Sequence, residues 1–184
     1  WGWPLGSHVV MGAAARETGS VSCAITLGGF PKFVADESWP HGMPAGDFRA
    51  FALGIRRDPQ RYWLHFLLLM INGAAHEKGE RQRLKPWLEK GTLVSHEHLC
   101  KSLAWLETGD QRALWHSIAT PALHIMGEKD IVVRSWANDL PVPSSSSHAM
   151  VSGMAHWPGG CSASDCWGAM QAFFASQRGP SWAL

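Results

Sequence analysis

The chain has 184 residues, 46% of them hydrophobic, with a formal net charge of +1. That length suits one domain with a sizeable apolar core. So small a charge excludes recognition of nucleic acid through bulk electrostatics, and any charge-based recognition has to be local. The longest apolar run, Phe66 to Ile71, is far short of a bilayer span. The opening Trp1-Gly2-Trp3-Pro4 lacks the basic and then apolar pattern of a secretory leader, so a cytoplasmic protein without a membrane segment is expected.

From the start, Ser7 to Glu17 is small and apolar at helical spacing, and Thr18-Gly19 closes it. Val21 to Leu27 is a short apolar run ended by Gly28-Gly29, the pattern of a buried strand. Phe30 to Gly46 is rich in Pro and Gly and reads as a loop leaving the core. From about Asp47 to Ser117 the pattern is helical. Asp58-Pro59 supplies an N-cap with Pro at the first helical position, and Asn72-Gly73 a matching stop. Further helices are expected over Glu77 to Leu88, kinked or ended near Pro86, from Ser95, and from Asp110. Strand signals return at Ala122 to Met126 and, more weakly, at His148 to Ser152 after a Pro- and Ser-rich loop. A final helix is expected over about Ser162 to Ser176.

Strands separated by helices imply an α/β fold with a parallel sheet. Three strands are few for such a sheet, so an architecture truncated at its N-terminus is expected, with the chain read as a fragment. The organisation expected is a core element at 1–30, a helical cap inserted at 31–118, and the rest of the core at 119–184. The cysteines (Cys23, Cys100, Cys161, Cys166) are scattered without a C-x-x-C pair and read as reduced thiols. No metal or organic cofactor is expected. Eleven tryptophans fit either core and cap packing or an apolar cleft, and the count does not choose between them.

Three positions carry the chemistry. Gly2-Trp3-Pro4-Leu5-Gly6 precedes the first helix; Asp130 follows the strand at 122–126; His156 follows the last strand. An acid and then a histidine, each in a loop after a strand, is the α/β-hydrolase arrangement, in which His is the general base and Asp orients it. Taken alone, an Asp after a strand is usually a turn residue. The three together, in this order, favour the catalytic reading.

Here the sequence resembles the pimeloyl-acyl-carrier-protein methyl ester esterases of biotin synthesis. That family's elbow reads G-W-S-L-G, against G-W-P-L-G at positions 2–6. Asp36-Glu37-Ser38-Trp39-Pro40 and Asp58-Pro59-Gln60-Arg61, followed by His65-Phe66-Leu67, resemble its cap entry. The resemblance implies an α/β-hydrolase fold with a helical cap, and a triad of residue 4, Asp130 and His156. It also implies an oxyanion donor in the amide of Leu5, with Trp3 and Phe66 lining an acyl channel. The implied partner is an acyl carrier protein bearing a pimeloyl methyl ester, met by cap cations such as Arg61, Lys78, Arg81 and Arg83, with His65 and Lys85 nearby. Arginine suits phosphate or carboxylate by bidentate pairing. Read from charge alone, that basic group is a solvated helix face. A monomer is expected.

Pro4 stands where the family has its nucleophilic serine. Proline has no side-chain oxygen, and its φ is held near −65° whereas the elbow residue needs a positive φ. Ser7, one turn on, is not expected to replace it. The chain is therefore expected to be inactive as an esterase of this type. Two alternatives stand beside that reading: a capped α/β-hydrolase acting on small esters, and a non-catalytic acyl- or carrier-binding relative.

Overall fold

A computed structural model describes residues 1–17, 19–92, 94–136 and 140–177. In chain order it contains α1 (Gly6–Arg16), β1 (Ala24–Leu27), α2 (Ala45–Arg57), α3 (Pro59–Leu69), α4 (Glu77–Lys90), α5 (His96–Thr108), α6 (Arg112–Ser117), β2 (Ala122–Gly127), β3 (Ser146–Val151) and α7 (Ala163–Gln177). A short 3-10 turn, Gly160–Ser162, leads into α7. The strands form one parallel sheet in the order β1-β2-β3. Gly2 adds a one-residue parallel bridge to Thr26 on the outer side of β1, through Gly2 N–H to the Ile25 carbonyl (2.9 Å) and Leu27 N–H to the Gly2 carbonyl (3.0 Å). Among the described residues, no helix is long and apolar enough to cross a membrane.

The sheet separates two apolar layers. Ile25, Leu27, Leu123 and Ile125 face α7, where Cys166 and Phe173 complete one core with Val151 and Met154. Ala24, Ala122 and Met126 face the other way, toward Met11 and Ala14 of α1, Trp115 of α6, and Phe48, Ile55 and Leu103 of α2 and α5. Each such large side chain contributes on the order of 1.5–3 kcal/mol by burial. Helices α2–α5 pack on one another, while α6 packs against α1.

Local signals set most helix ends. Asp58 caps α3 by accepting from Arg61 N–H, with Pro59 at the start of the helix; Ser95 caps α5 by accepting from His98 N–H. Pro86 lies inside α4, which continues to Lys90 rather than ending at the proline. The first strand is shorter than its apolar run, because Val21 N–H goes to Glu17 and pairing with β2 begins only at Ala24. The last strand starts earlier than expected, at Ser146, drawn in by parallel register with Ala122. Thr18, expected to close α1, lies outside the described residues. The Pro- and Gly-rich excursion after β1 is pinned rather than loose. Lys32 pairs with Asp36 and Asp110, and Arg112 holds Asp110 and the Ser38 carbonyl and lies 5.7 Å from the Trp39 ring.

One rung of the sheet is polar. Thr26, His124 and His148 stand opposite one another on β1, β2 and β3. Thr26 Oγ1 and His124 Nδ1 are 2.9 Å apart, and Trp115 stacks on the His124 ring at 4.8 Å. Nε2 of both histidines is buried without a hydrogen-bond partner. Burial, with His148 beside it, lowers the His124 pKa from 6.5 to about 3, and burial also lowers that of His148. Neutral rings in the folded state and protonatable rings in the unfolded state mean that the unfolded chain binds more protons below pH 6.5. Stability should therefore be full near pH 7 and fall between pH 6.5 and 4.5, by roughly 1 kcal/mol per pH unit for His124, with His148 acting in the same direction, before ordinary carboxylates titrate. Urea midpoints at three pH values in that interval check this, and His124→Asn should flatten the slope.

Candidate active site

The acid and the histidine meet. His156 Nδ1 lies 2.8 Å from Asp130 Oδ2, and both side chains are buried. The other carboxylate oxygen of Asp130 accepts the backbone N–H groups of Val132 (2.9 Å) and Val133 (2.8 Å). The acid is thus held on both sides, which fixes the imidazole plane by fixing its partner. The turn from Gly127 to Asp130 carries this out: Asp130 N–H returns to the Gly127 carbonyl, and Lys129 N–H reaches the Met154 carbonyl in the histidine loop. Gly28, at the end of β1, backs the ring; a Cβ there would stand 3.3 Å from the imidazole.

The first residues close the site from the other side. The bridge to β1 places Trp3 so that its indole N–H donates to the His156 carbonyl (3.1 Å), with ring centroids 5.8 Å apart. Gly2 has a steric reason to be glycine: a Cβ there would collide with the Gly6 carbonyl, whereas a Cβ on Gly6 itself would meet open space. Leu5 precedes α1 in helical conformation (φ −64°, ψ −31°), and no described residue other than glycine has a positive φ. Pro4 therefore sits in an ordinary turn and not in the left-handed geometry that lifts a nucleophile out of an elbow. Ser7 does not replace it. Its side chain is fully buried, and its hydroxyl donates to the Pro4 carbonyl.

Pro4, Leu5 and His156 line one cavity of about 920 Å³. Trp3 and Phe66 are also in its wall, with Leu27, Phe30, Phe48 and Val132. Nine of the eleven tryptophans divide between the two roles the count left open, while Trp105 is exposed. Trp39, Trp115 and Trp136 are buried core, whereas Trp1, Trp3, Trp63, Trp87, Trp157 and Trp167 line the cavity. The individual lining tryptophans outside the elbow were not singled out from sequence; their abundance was the available signal. A buried acid–base pair opening on an apolar space is suited to proton transfer on an acyl substrate whose chain is taken from water.

The predicted cations lie elsewhere. Arg61 on α3 and Lys78, Arg81 and Arg83 on α4 are exposed and are not part of the cavity wall. Among their neighbours, His65 does line the cavity, and Lys85 pairs with Glu89 at 3.6 Å.

No known protein-family profile matches the chain. It is 30% identical over 136 residues to a pimeloyl-[acyl-carrier protein] methyl ester esterase of Nitrosospira multiformis, covering 74% of this chain and 52% of that protein. It is 31% identical over 159 residues to the protein of the same description from Sodalis glossinidius, covering 85% and 62%. The biotin biosynthesis bifunctional protein BioHC of Saccharophagus degradans is 29% identical over 137 residues, 72% of this chain and 25% of that one. The chain thus spans roughly half to three fifths of the length of these single-function relatives. Among solved structures, a bromoperoxidase from Bacillus anthracis superposes with a TM-score of 0.81 at 18% identity, over 95% of this chain and 66% of that one. An esterase from Exiguobacterium antarcticum superposes with 0.72 at 16% identity, over 97% and 65%. At such identities these structures speak for the fold. Parallel sheet, acid and histidine loops, and sequence likeness agree: the chain belongs to the α/β-hydrolase superfamily and is a relative, within it, of the pimeloyl-[acyl-carrier protein] methyl ester esterases.

Proposed function

We propose that this chain carries the acyl-binding and acid–base parts of an ester hydrolase site of the pimeloyl-carrier methyl ester type, and that Pro4 stops it short of turnover. The observation that carries the reading is that Pro4 lines the same apolar cavity as the Asp130–His156 pair. In a chain with serine at that position, His156 would take the hydroxyl proton as the oxygen attacks the ester carbonyl. It would return that proton to the departing methanol, and then activate water to release the free acid. Asp130 would orient the ring, and the amide of Leu5 would face the oxyanion. With proline there is no oxygen to form the acyl-enzyme, so a bound ester would be held and not cleaved.

The proposed ligand is an acyl ester delivered by a carrier protein. The cavity supports the acyl half. The exposed cations Arg61, Lys78, Arg81 and Arg83 on two adjoining cap helices support the carrier half, since carrier proteins and their phosphate-bearing arms are anionic. A cytoplasmic setting is part of the same reading and is supported by four unpaired cysteines.

Restoring the nucleophile tests the site. Pro4→Ser should become labelled at the introduced hydroxyl by a fluorophosphonate and should hydrolyse p-nitrophenyl esters roughly tenfold faster than the parent. A larger gain is not expected, because an oxyanion-hole donor is worth about 10²–10³ in rate and only the Leu5 amide is assigned here. Adding His156→Ala should return the rate to the parent level. A folded, unlabelled Pro4→Ser protein would remove the proposal, and preference for short esters over carrier-borne ones would move it to the small-ester hydrolases. For the carrier face, Arg61→Glu should weaken binding of an acylated carrier protein by roughly three- to tenfold at low salt and by less at high salt, read by calorimetric titration.

A further inference from the structure

One nitrogen of the acid–base pair is left with nothing to do. Nδ1 of His156 is taken by Asp130 at 2.8 Å, and the other oxygen of Asp130 is held by the Val132 and Val133 amides. Among the described residues, the ring nitrogens sealed without a partner belong to His8, His124 and His148 and not to His156. His156 lies instead in the wall of the apolar cavity of about 920 Å³, so its Nε2 opens on that space. In a serine hydrolase this nitrogen is shared with the nucleophile's hydroxyl. Here Pro4 stands in that place with neither a hydroxyl nor an N–H to offer, and the Ser7 hydroxyl is turned to the Pro4 carbonyl. The result is a base that is oriented, shielded from bulk water and unclaimed.

The wall says what such a base can act on. Among the described residues no Lys or Arg lines the cavity, and Asp47 is its one carboxylate. An anionic ligand is therefore disfavoured, and negative charge that develops during a reaction has to be spread over the substrate itself. Trp3 lies 5.8 Å from the imidazole and meets Trp157 edge to face at 5.2 Å. Trp63, Phe30, Phe48 and Phe66 continue the aromatic wall, against which a flat conjugated ring packs well. Trp157 also lines a second, smaller cavity of about 340 Å³ behind the histidine loop, with Glu80 and Asp165 in its wall, and separates that polar space from this one.

We propose that the Asp130–His156 pair is a general base in its own right, driving elimination in a flat, uncharged, conjugated carbon acid with no covalent intermediate. The substrate's C–H bond breaks as the proton passes to Nε2. The electron pair left on carbon forms a new π bond and expels a leaving group held within the same molecule. Asp130 stabilises the imidazolium, which then gives its proton to water or to the departing group. No oxidant, reductant or co-reactant is required. The proposal rests on the same acid–base pair and the same account of Pro4 as the ester-site reading, and not on an ester or a carrier protein as the ligand.

Nitrobenzisoxazole is the probe: loss of its ring C–H proton opens the N–O bond and yields a coloured cyano-nitrophenolate. The parent chain should convert it saturably, on the order of 10²-fold faster than His156→Gln. Probe deuterated at the reacting carbon should be converted more slowly, by a primary isotope effect. Asp130→Asn keeps the shape of the acid and removes its charge, and should lower kcat while leaving KM nearly unchanged. Quenching of the cavity tryptophans reports binding separately, so His156→Gln should still bind the probe while failing to convert it. The proposal is overturned if the parent is no faster than a His156→Gln chain that binds the probe, or if the isotope effect is absent. A parent that eliminates while Pro4→Ser stays unlabelled by fluorophosphonate upholds this proposal and removes the ester reading; a labelled Pro4→Ser beside a parent that does not eliminate removes this proposal alone.

Discussion

Two backbone hydrogen bonds between Gly2 and β1 decide where the first residues stand, and the site is arranged around them. They hold the segment in register with Ile25 and Leu27, so Trp3 emerges beside the histidine loop and residue 4 at the wall of the larger, apolar cavity. The indole of Trp3 then ties that segment to the His156 carbonyl. On the far side, β1 pairs with β2 and β2 with β3. The acid loop leaves the end of β2 and the histidine loop the end of β3. Because all three strands run in parallel, residues 2–6, Asp130 and His156 collect at the same end of the sheet, where such folds place their ligands. A slip of the β1–β2 register by one residue would turn Ile25 and Leu27 away from α7 and separate the parts.

The two cavities show how one loop can serve two environments. The loop runs from the fully buried Met154 through His156 to Trp157, whose backbone N–H donates to the Met70 carbonyl at the end of α3. One side of this loop lines the apolar cavity of about 920 Å³, and the other lines the cavity of about 340 Å³ with Glu80 and the start of α7. Helix α4 is correspondingly two-faced. Lys78, Arg81 and Arg83 are solvated, while Glu80 and Leu84, four residues apart, turn inward.

Much of this was legible in the sequence because the signals are local. Asp58 before Pro59 and Ser95 before a helical run are caps that work through a single hydrogen bond, and both form. The apolar run at 122–126 reads as a strand because it is short and is bounded by Pro121 and Gly127, and it forms β2. The pairing of Asp130 with His156 was readable from order alone, since the topology brings together any two loops that follow adjacent parallel strands. Other features depend on distant partners. Ser146 and Ser147 carry no strand preference and become a strand only because Ala122 and Leu123 offer a register. Helix α2 has no side-chain cap at Pro44, so its start carried no local signal. The histidine rung needs three strands aligned, and the Glu80 cavity draws its wall from four separate stretches. Neither leaves a pattern that a linear reading can find.

The relaxed turn at Pro4 bears on how readily such a chain persists. A nucleophile elbow holds its residue in a strained, left-handed conformation, and strain of that kind costs about 1–3 kcal/mol. Here no described side-chain-bearing residue has that conformation. Position 4 takes a proline in an ordinary turn, and the helix after it begins with the Ser7 and His8 amides bonded to the Pro4 and Leu5 carbonyls. The proline turn therefore carries no left-handed strain at position 4. An elbow at position 4 would call for a conformation that folding alone does not require, so catalysis and foldability would ask different things of that residue.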